Sequence, residues 1–261
     1  MDPVLYDERD GVATITLNTP DVYNSISADL AGLFIESIER ATTGPCRAVL
    51  ITGSGKAFCA GADLKDLEAG YQAGRSPELG ALIDIAFNPM LMALANLPKP
   101  VLAAVNGPAA GAGIGLALAS DLRIASTNAN FTMAFINIGL VPDTGTAWLL
   151  PMIVGYGRAM ELAFSGRRVA ADEALAIGLV HRVVEPDQLL AEAQAWAAKL
   201  AAGPTIAYAR TKAIMRQAVE SSLATAVMIE RDEQDLAGKT RDHLEGVQAF
   251  LAKRPPNYEG R

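Results

Sequence analysis

Val101-Leu-Ala-Ala-Val-Asn-Gly-Pro-Ala-Ala-Gly-Ala-Gly-Ile-Gly115 is the stretch from which the fold can be read. Its first five residues are apolar without alternation, the pattern of a strand buried on both faces. Asn106-Gly107-Pro108 ends that strand. The small residues from about Gly111 to Ser120 then predict a helix that lets neighbouring main chain come close. The same order occurs upstream, where Arg47 to Thr52 (RAVLIT) is a short buried strand running into Gly53-Ser54-Gly55. Leu122 to Ala125 is a further strand. Strand, glycine-rich turn and helix therefore recur at least twice without a sequence-identical repeat, which predicts an α/β architecture with buried parallel pairing.

Working outward, Gly11 to Leu17 (GVATITL) is β-rich and precedes a turn at Asn18 to Pro20. Ser27 is placed to cap a helix running to about Ala41, with Leu30, Leu33, Phe34 and Ile38 on one face. A helical, loop-rich stretch follows from Asp63 to Leu97. The chain changes character near residue 186, where Pro186 opens a helix to about Ala202. Gly203-Pro204 punctuates, helices continue to about residue 252, and no strand pattern remains. The expected organisation is a core over 1–195 and a helical region, packing on that core or on a neighbouring subunit, over 196–261. The polar, Pro-rich residues from Lys253 on are expected to be extended.

The chain has 261 residues, 51% of them hydrophobic and 20% charged, enough for one large domain with at most a small appendage. A net charge of −7 repels nucleic acid and anionic lipid, so neither is an expected partner. An anionic small ligand would need local Lys, Arg or backbone N–H groups. Cys46 and Cys59 show no metal spacing and make no disulfide framework, and are read as thiols of a reducing cytoplasm. Met1 to Asp10 carries acids and no apolar core, unlike a signal peptide. The longest apolar stretches, such as Val101 to Ala119, are interrupted by Asn106, Pro108 and glycines and do not read as membrane spans. A cytoplasmic protein is expected.

Side-chain chemistry is sparse. The only histidines, His181 and His243, lie far from any recognisable nucleophile motif, and no residues have metal-ligand spacing. No Gly-x-Ser-x-Gly elbow and no phosphate-binding loop occurs. The glycines of Gly111-Ala-Gly-Ile-Gly115 do not fit the dinucleotide fingerprint. What remains is the main chain. Lys56-Ala-Phe-Cys-Ala-Gly-Ala-Asp-Leu64 and Val105 to Gly115 both crowd small residues after buried strands. N–H groups opening a helix have no internal partner and carry partial positive charge. Two of them aimed at one point would make an oxyanion hole. Close helix packing in one segment and an ordinary turn in the other would explain the same residues.

At these two segments the chain resembles the crotonase (enoyl-CoA hydratase/isomerase) superfamily, and the resemblance covers nearly its whole length. Its elements are Ala57-Phe-Cys-Ala-Gly-Ala-Asp-Leu64, Lys99 to Gly107 with Ser120-Asp121, Ile138-Gly-Leu-Val-Pro-Asp143, Gly166, Ala176-Ile-Gly-Leu-Val180 and Phe250-Leu-Ala-Lys-Arg254. The resemblance implies an α/β fold, a spiral of ββα turns with a helical C-terminal region, assembled as a homotrimer or a hexamer (a dimer of trimers). It implies an acyl-CoA thioester as partner, with coenzyme A part of the substrate and no separate cofactor or metal. The oxyanion donors fall on the backbone N–H groups of Ala62 and Ala112, the second of which is more often glycine in the family. Main chain around Ala60 and Leu64 falls where coenzyme A is contacted, with Asp63 fixing the loop between them. Lys253 matches a lysine that reaches coenzyme A phosphate, often on a neighbouring subunit.

Family hydratases activate water with two glutamates. Here Gly115 and Phe135 stand at those places, so both acids are missing and Phe135 makes that side apolar. A third acidic position, used by the isomerase branch, is filled by Asp143. The pattern is similar to ring-epoxide isomerases of the phenylacetate pathway and to Δ3,Δ2-enoyl-CoA isomerases. Burial among Phe135, Leu140 and Trp148 is expected to raise the pKa of Asp143, and Phe135 and Trp148 to wall the acyl pocket with part of Leu67 to Ala95. Asp143 would equally suit an N-cap of a helix from Thr144 to Ile153. A hydratase using one acid, or an acyl-CoA-binding subunit with little turnover, are the alternatives. A dehalogenase would need a histidine between residues 64 and 100, and there is none.

Overall fold

Strands without a polar face need cover on both sides, and two helical layers supply it. A computed structural model describes residues 2–63, 68, 71–74 and 78–261. β1 (Val4–Arg9) and β2 (Val12–Leu17) form a hairpin through Asp10-Gly11, both with positive φ, a turn that matches strand twist. The β-rich pattern from Gly11 to Leu17 covers β2 alone, and β1 lies upstream of it. α1 (Ala28–Thr43) starts where Ser27 predicts it, the Ser27 hydroxyl accepting from the Leu30 amide at 3.2 Å. β3 (Ala48–Gly53) follows. α2 (Leu79–Asn96) contains a π turn at Ile83–Phe87, just before Pro89, which has no N–H to continue the ladder. α2 has the length and composition to cross a membrane, yet it buries Ala86, Phe87, Met90 and Leu94 in the principal core.

Two ββα turns come next. β4 (Val101–Val105), β5 (Ala109–Ala110) and α3 (Ala112–Ala119) make one. β6 (Leu122–Ser126), β7 (Asn130–Thr132), a 3-10 turn (Ala134–Ile138) and α4 (Thr146–Val154) make the next. α5 (Tyr156–Ser165), β8 (Arg168–Ala170), α6 (Ala171–Ala176) and β9 (Arg182–Val184) complete the body. The larger sheet runs β1-β2-β3-β4-β6-β9 and is parallel from β2 onward. A smaller sheet runs β5-β7-β8. This is the spiral of ββα turns that the family resemblance implies.

α7 (Leu189–Ala201) lies on the outer face of the larger sheet, packing Leu189, Ala193, Ala197 and Ala201 on Val12, Leu50, Leu102 and Ile124. The expected boundary between residues 195 and 196 falls inside this helix. α8 (Thr205–Val219), α9 (Leu223–Ala237) and α10 (Arg241–Leu251) form the helical C-terminal region. Lys212 of α8 pairs with Asp121 at 3.0 Å, and the same Asp121 oxygen accepts from the Val101 amide at 2.9 Å. The tail beyond Lys253 is non-helical and folds back. Asp242 accepts from the amides of Glu259 (2.7 Å) and Gly260 (2.9 Å), and Arg47 donates to the Tyr258 carbonyl at 2.9 Å.

Candidate active site

The two small-residue segments meet. Residues 58–60 run alongside Pro108 to Ala110: the Phe58 amide donates to Pro108 O (3.0 Å) and the Ala110 amide to Cys59 O (2.9 Å). On the other flank, the Ile26 amide donates to Gly61 O (2.7 Å) and Ile26 O accepts from Asp63 N (3.2 Å). That pairing uses Gly61 and Asp63 and turns the N–H of Ala62 away from Ile26, as alternate residues of an extended segment must be. A Cβ placed on Gly61 would lie 3.1 Å from the amide nitrogen of Ala112, so that amide sits against the residue before Ala62. Ala112 is the first residue of α3, so its N–H has no helical acceptor. Among the described residues neither the Ala62 nor the Ala112 amide has a main-chain acceptor. Two N–H groups without main-chain acceptors thus stand on adjoining strand and helix.

Asp143 stands on the neighbouring ββα turn. The structure removes the capping role: α4 begins at Thr146, its N-cap is Gly145, and only the Asp143 carbonyl takes part, accepting from Thr146 N at 2.8 Å. The carboxylate Oδ1 instead accepts from Thr144 Oγ1 at 2.8 Å. Asp143 is half-buried, and burial raises its pKa while the Thr144 hydroxyl opposes the shift. The loop rests directly on α3. A Cβ on Gly115 would lie 2.2 Å from Thr144 O, so that helix position admits no side chain. Gly115 is one turn beyond Ala112, which puts the Asp143 loop on the first turn of the helix that offers its amide.

The other predicted residues distribute as follows. Phe135 is buried on the 3-10 turn, its carbonyl accepting from Leu140 N. Ala60 is exposed and Asp63 half-exposed at the mouth of the strand pairing; Leu64 lies outside the described residues. Trp148 lines a cavity of about 340 Å³ with Leu91, Met92, Leu149, Arg216 and Glu220, a cavity that the amide pair does not line. Lys253 is exposed beyond α10, and no hydrogen bond or ion pair ties it to residues 60–63 among the described residues. His181 accepts from the Arg123 amide at 3.1 Å and serves the sheet, and both cysteines are buried free thiols.

Sequence reasoning missed Asn24. Fully buried and left-handed at φ 54°, it accepts from Thr19 N and donates to the carbonyls of Ala57 (2.8 Å) and Ser54 (3.0 Å). Asn106 donates to Ala57 O as well (3.0 Å), so two amide side chains staple the turn that precedes Ala62. The usable signal was Asn itself, which tolerates the left-handed region and bonds main chain locally.

Comparison with known proteins follows the same lines. Residues 7–261 match the family model described as enoyl-CoA hydratase/isomerase. The chain is 42% identical over 264 residues, covering all of both proteins, to 1,2-epoxyphenylacetyl-CoA isomerase of Escherichia coli. It is 41% identical over 258 residues, covering 99% of the chain and 98% of the relative, to a Rhodobacter capsulatus protein named "Probable enoyl-CoA hydratase". Among solved structures, enoyl-CoA hydratase from Bacillus anthracis superposes with a TM-score of 0.92 at 35% identity, covering 99% of the chain and 100% of that protein.

Proposed function

The chain belongs to the enoyl-CoA hydratase/isomerase family, and from that premise we propose that it is an acyl-CoA isomerase using one carboxylate. It shifts a double bond, or rearranges a ring-epoxide, of a coenzyme A thioester. The observation that carries this reading is the pairing of a half-buried Asp143 with a Gly115 that has no room for an acid. A water-activating glutamate on α3 would have to displace the Thr144 main chain.

In this reading the thioester oxygen lies between the N–H groups of Ala62 and Ala112. Asp143, ionised, takes a proton from the α or γ carbon, and the C–H electron pair moves into the thioester to give an enolate. The two amides stabilise the oxyanion as it forms, each lowering the barrier by about 3 kcal/mol. The protonated carboxyl then returns the proton elsewhere on the conjugated system. A raised pKa suits both halves of the transfer. Phe135 keeps one wall dry. Lys253 would serve coenzyme A phosphate across a subunit contact in a homotrimer or hexamer.

A hydratase reading draws support from the relatives that carry that name. Incubation with cis-3-hexenoyl-CoA, crotonyl-CoA and a ring-epoxide thioester separates the two. Isomerisation of the first or third is expected, and Asp143→Asn should lower it by about 10³-fold, within the range of a lost general acid–base. Fast hydration of crotonyl-CoA that survives Asp143→Asn would overturn the proposal. No turnover of any of them, with binding retained, would favour an acyl-CoA-binding subunit.

A further inference from the structure

We propose that Thr144 is the positioning residue for the Asp143 carboxyl and that Gly115 is small in order to seat it. The inference rests on the reading of Asp143 as the proton-transferring group. Thr144 is buried at 2% exposure with φ at +47°, a left-handed conformation that a β-branched residue adopts only where its surroundings enforce it. The enforcement comes from α3. A Cβ on Gly115 would lie 2.2 Å from Thr144 O and 2.8 Å from both Thr144 Cβ and Cγ2. The strained main chain is thus wedged against the helix turn that begins with the Ala112 amide, and the distance from amide to carboxyl is set by direct contact.

The hydroxyl completes the arrangement. Thr144 Oγ1 donates to Asp143 Oδ1 at 2.8 Å, and Asp143 O accepts from Thr146 N, so the residue is held at two of its three oxygens. Oδ2 has no hydrogen bond among the described residues. Oδ2 is therefore the oxygen that forms the O–H bond when the substrate C–H bond breaks, while Oδ1 keeps its hydrogen bond in both protonation states. A hydroxyl donating to Oδ1 favours the ionised carboxyl and offsets the burial that disfavours it.

Thr144→Val keeps the branched shape and removes the donor. With cis-3-hexenoyl-CoA as probe, kcat should fall about 10-fold with KM within twofold, and the acid limb of the kcat/KM profile should move to higher pH. Thr144→Ser should restore both. Thr144→Gly, which suits the left-handed main chain, should show the same limb shift and keeps the test open if the valine variant does not fold. A limb unmoved in a folded Thr144→Val or Thr144→Gly protein, or a serine variant that fails to restore it, overturns the inference. Asp143→Asn in the same assay separates the two levels. If it keeps parental turnover, the underlying reading has failed; if it is inactive and the Thr144 variants do not shift the limb, only the role of Thr144 has failed.

Discussion

Asp143 is held between burial, which favours its neutral form, and the Thr144 hydroxyl, which favours the charged one, and burial dominates. Its folded pKa lies above the unfolded value. The stability linked to this group is then fully present below the unfolded pKa and is lost as pH rises through the folded one. At neutral pH the ionised carboxylate is a cost to the fold, while asparagine carries no charge and can still accept from Thr144. Asp143→Asn should therefore melt at a higher temperature than the parent at pH 7, with the gain shrinking as pH falls through the carboxylate range. Differential scanning calorimetry at pH 7 and pH 4 checks this, and an equal difference at both values would contradict it. Asp143 stood out in the sequence by its place in Val141-Pro-Asp-Thr-Gly145, but the sequence could not choose between cap and acid. The two glycines around it bear on the cap: Gly145 takes the N-cap position of α4, and Gly115 admits the loop to α3.

Among the elements, α3 carries the most consequence for its length. Eight residues, all buried, give it almost no polar surface of its own, so its ends must be satisfied by other parts of the chain. At the C-terminal end Arg123, 5% exposed, donates to Ser120 O (2.7 Å), Leu118 O (3.4 Å) and Ala117 O (3.5 Å), and to Leu179 O (2.7 Å). Burial lowers its pKa to about 10, so it remains a cation at neutral pH and complements the negative end of the helix. Arg123→Met should leave those carbonyls without a donor and cost about 3 kcal/mol. Arg123→Lys should recover part of it. Urea denaturation measures both, and a methionine variant as stable as the parent would show that the carbonyls find other donors. The strands β3, β4 and β6 were legible because unbroken apolar runs have few other uses. β5, β7 and β8 were not, since strands of two or three residues carry no readable period. Their pairing depends on where the spiral places them.

Over the whole molecule, the sheet body and the C-terminal helices are joined by a few polar links, and the helices leave much apolar surface uncovered. Lys212 with Asp121 and Arg47 with the tail hold α8 and α10 to the body. Met215 is 64% exposed, Leu223 81%, Phe250 83% and Leu251 74%. Single exposed apolar residues are ordinary, but several large ones on three successive helices of an otherwise acidic chain call for cover. Loss of strand pattern after residue 186 made the helical region legible, whereas its outward faces depend on tertiary placement that no helical period in the sequence specifies. If the region serves assembly, light scattering should show particles of three or six chains rather than one. Phe250→Glu together with Leu251→Glu should place charges in the contact, where desolvation opposes them, and should release smaller particles without unfolding the sheet body. Far-ultraviolet circular dichroism run in parallel distinguishes dissociation from unfolding. A wild-type particle containing one chain would remove the assembly reading. With it would go the proposed reach of Lys253 to a thioester on another chain, while the roles proposed for the amide pair and Asp143, which belong to a single chain, would be unaffected.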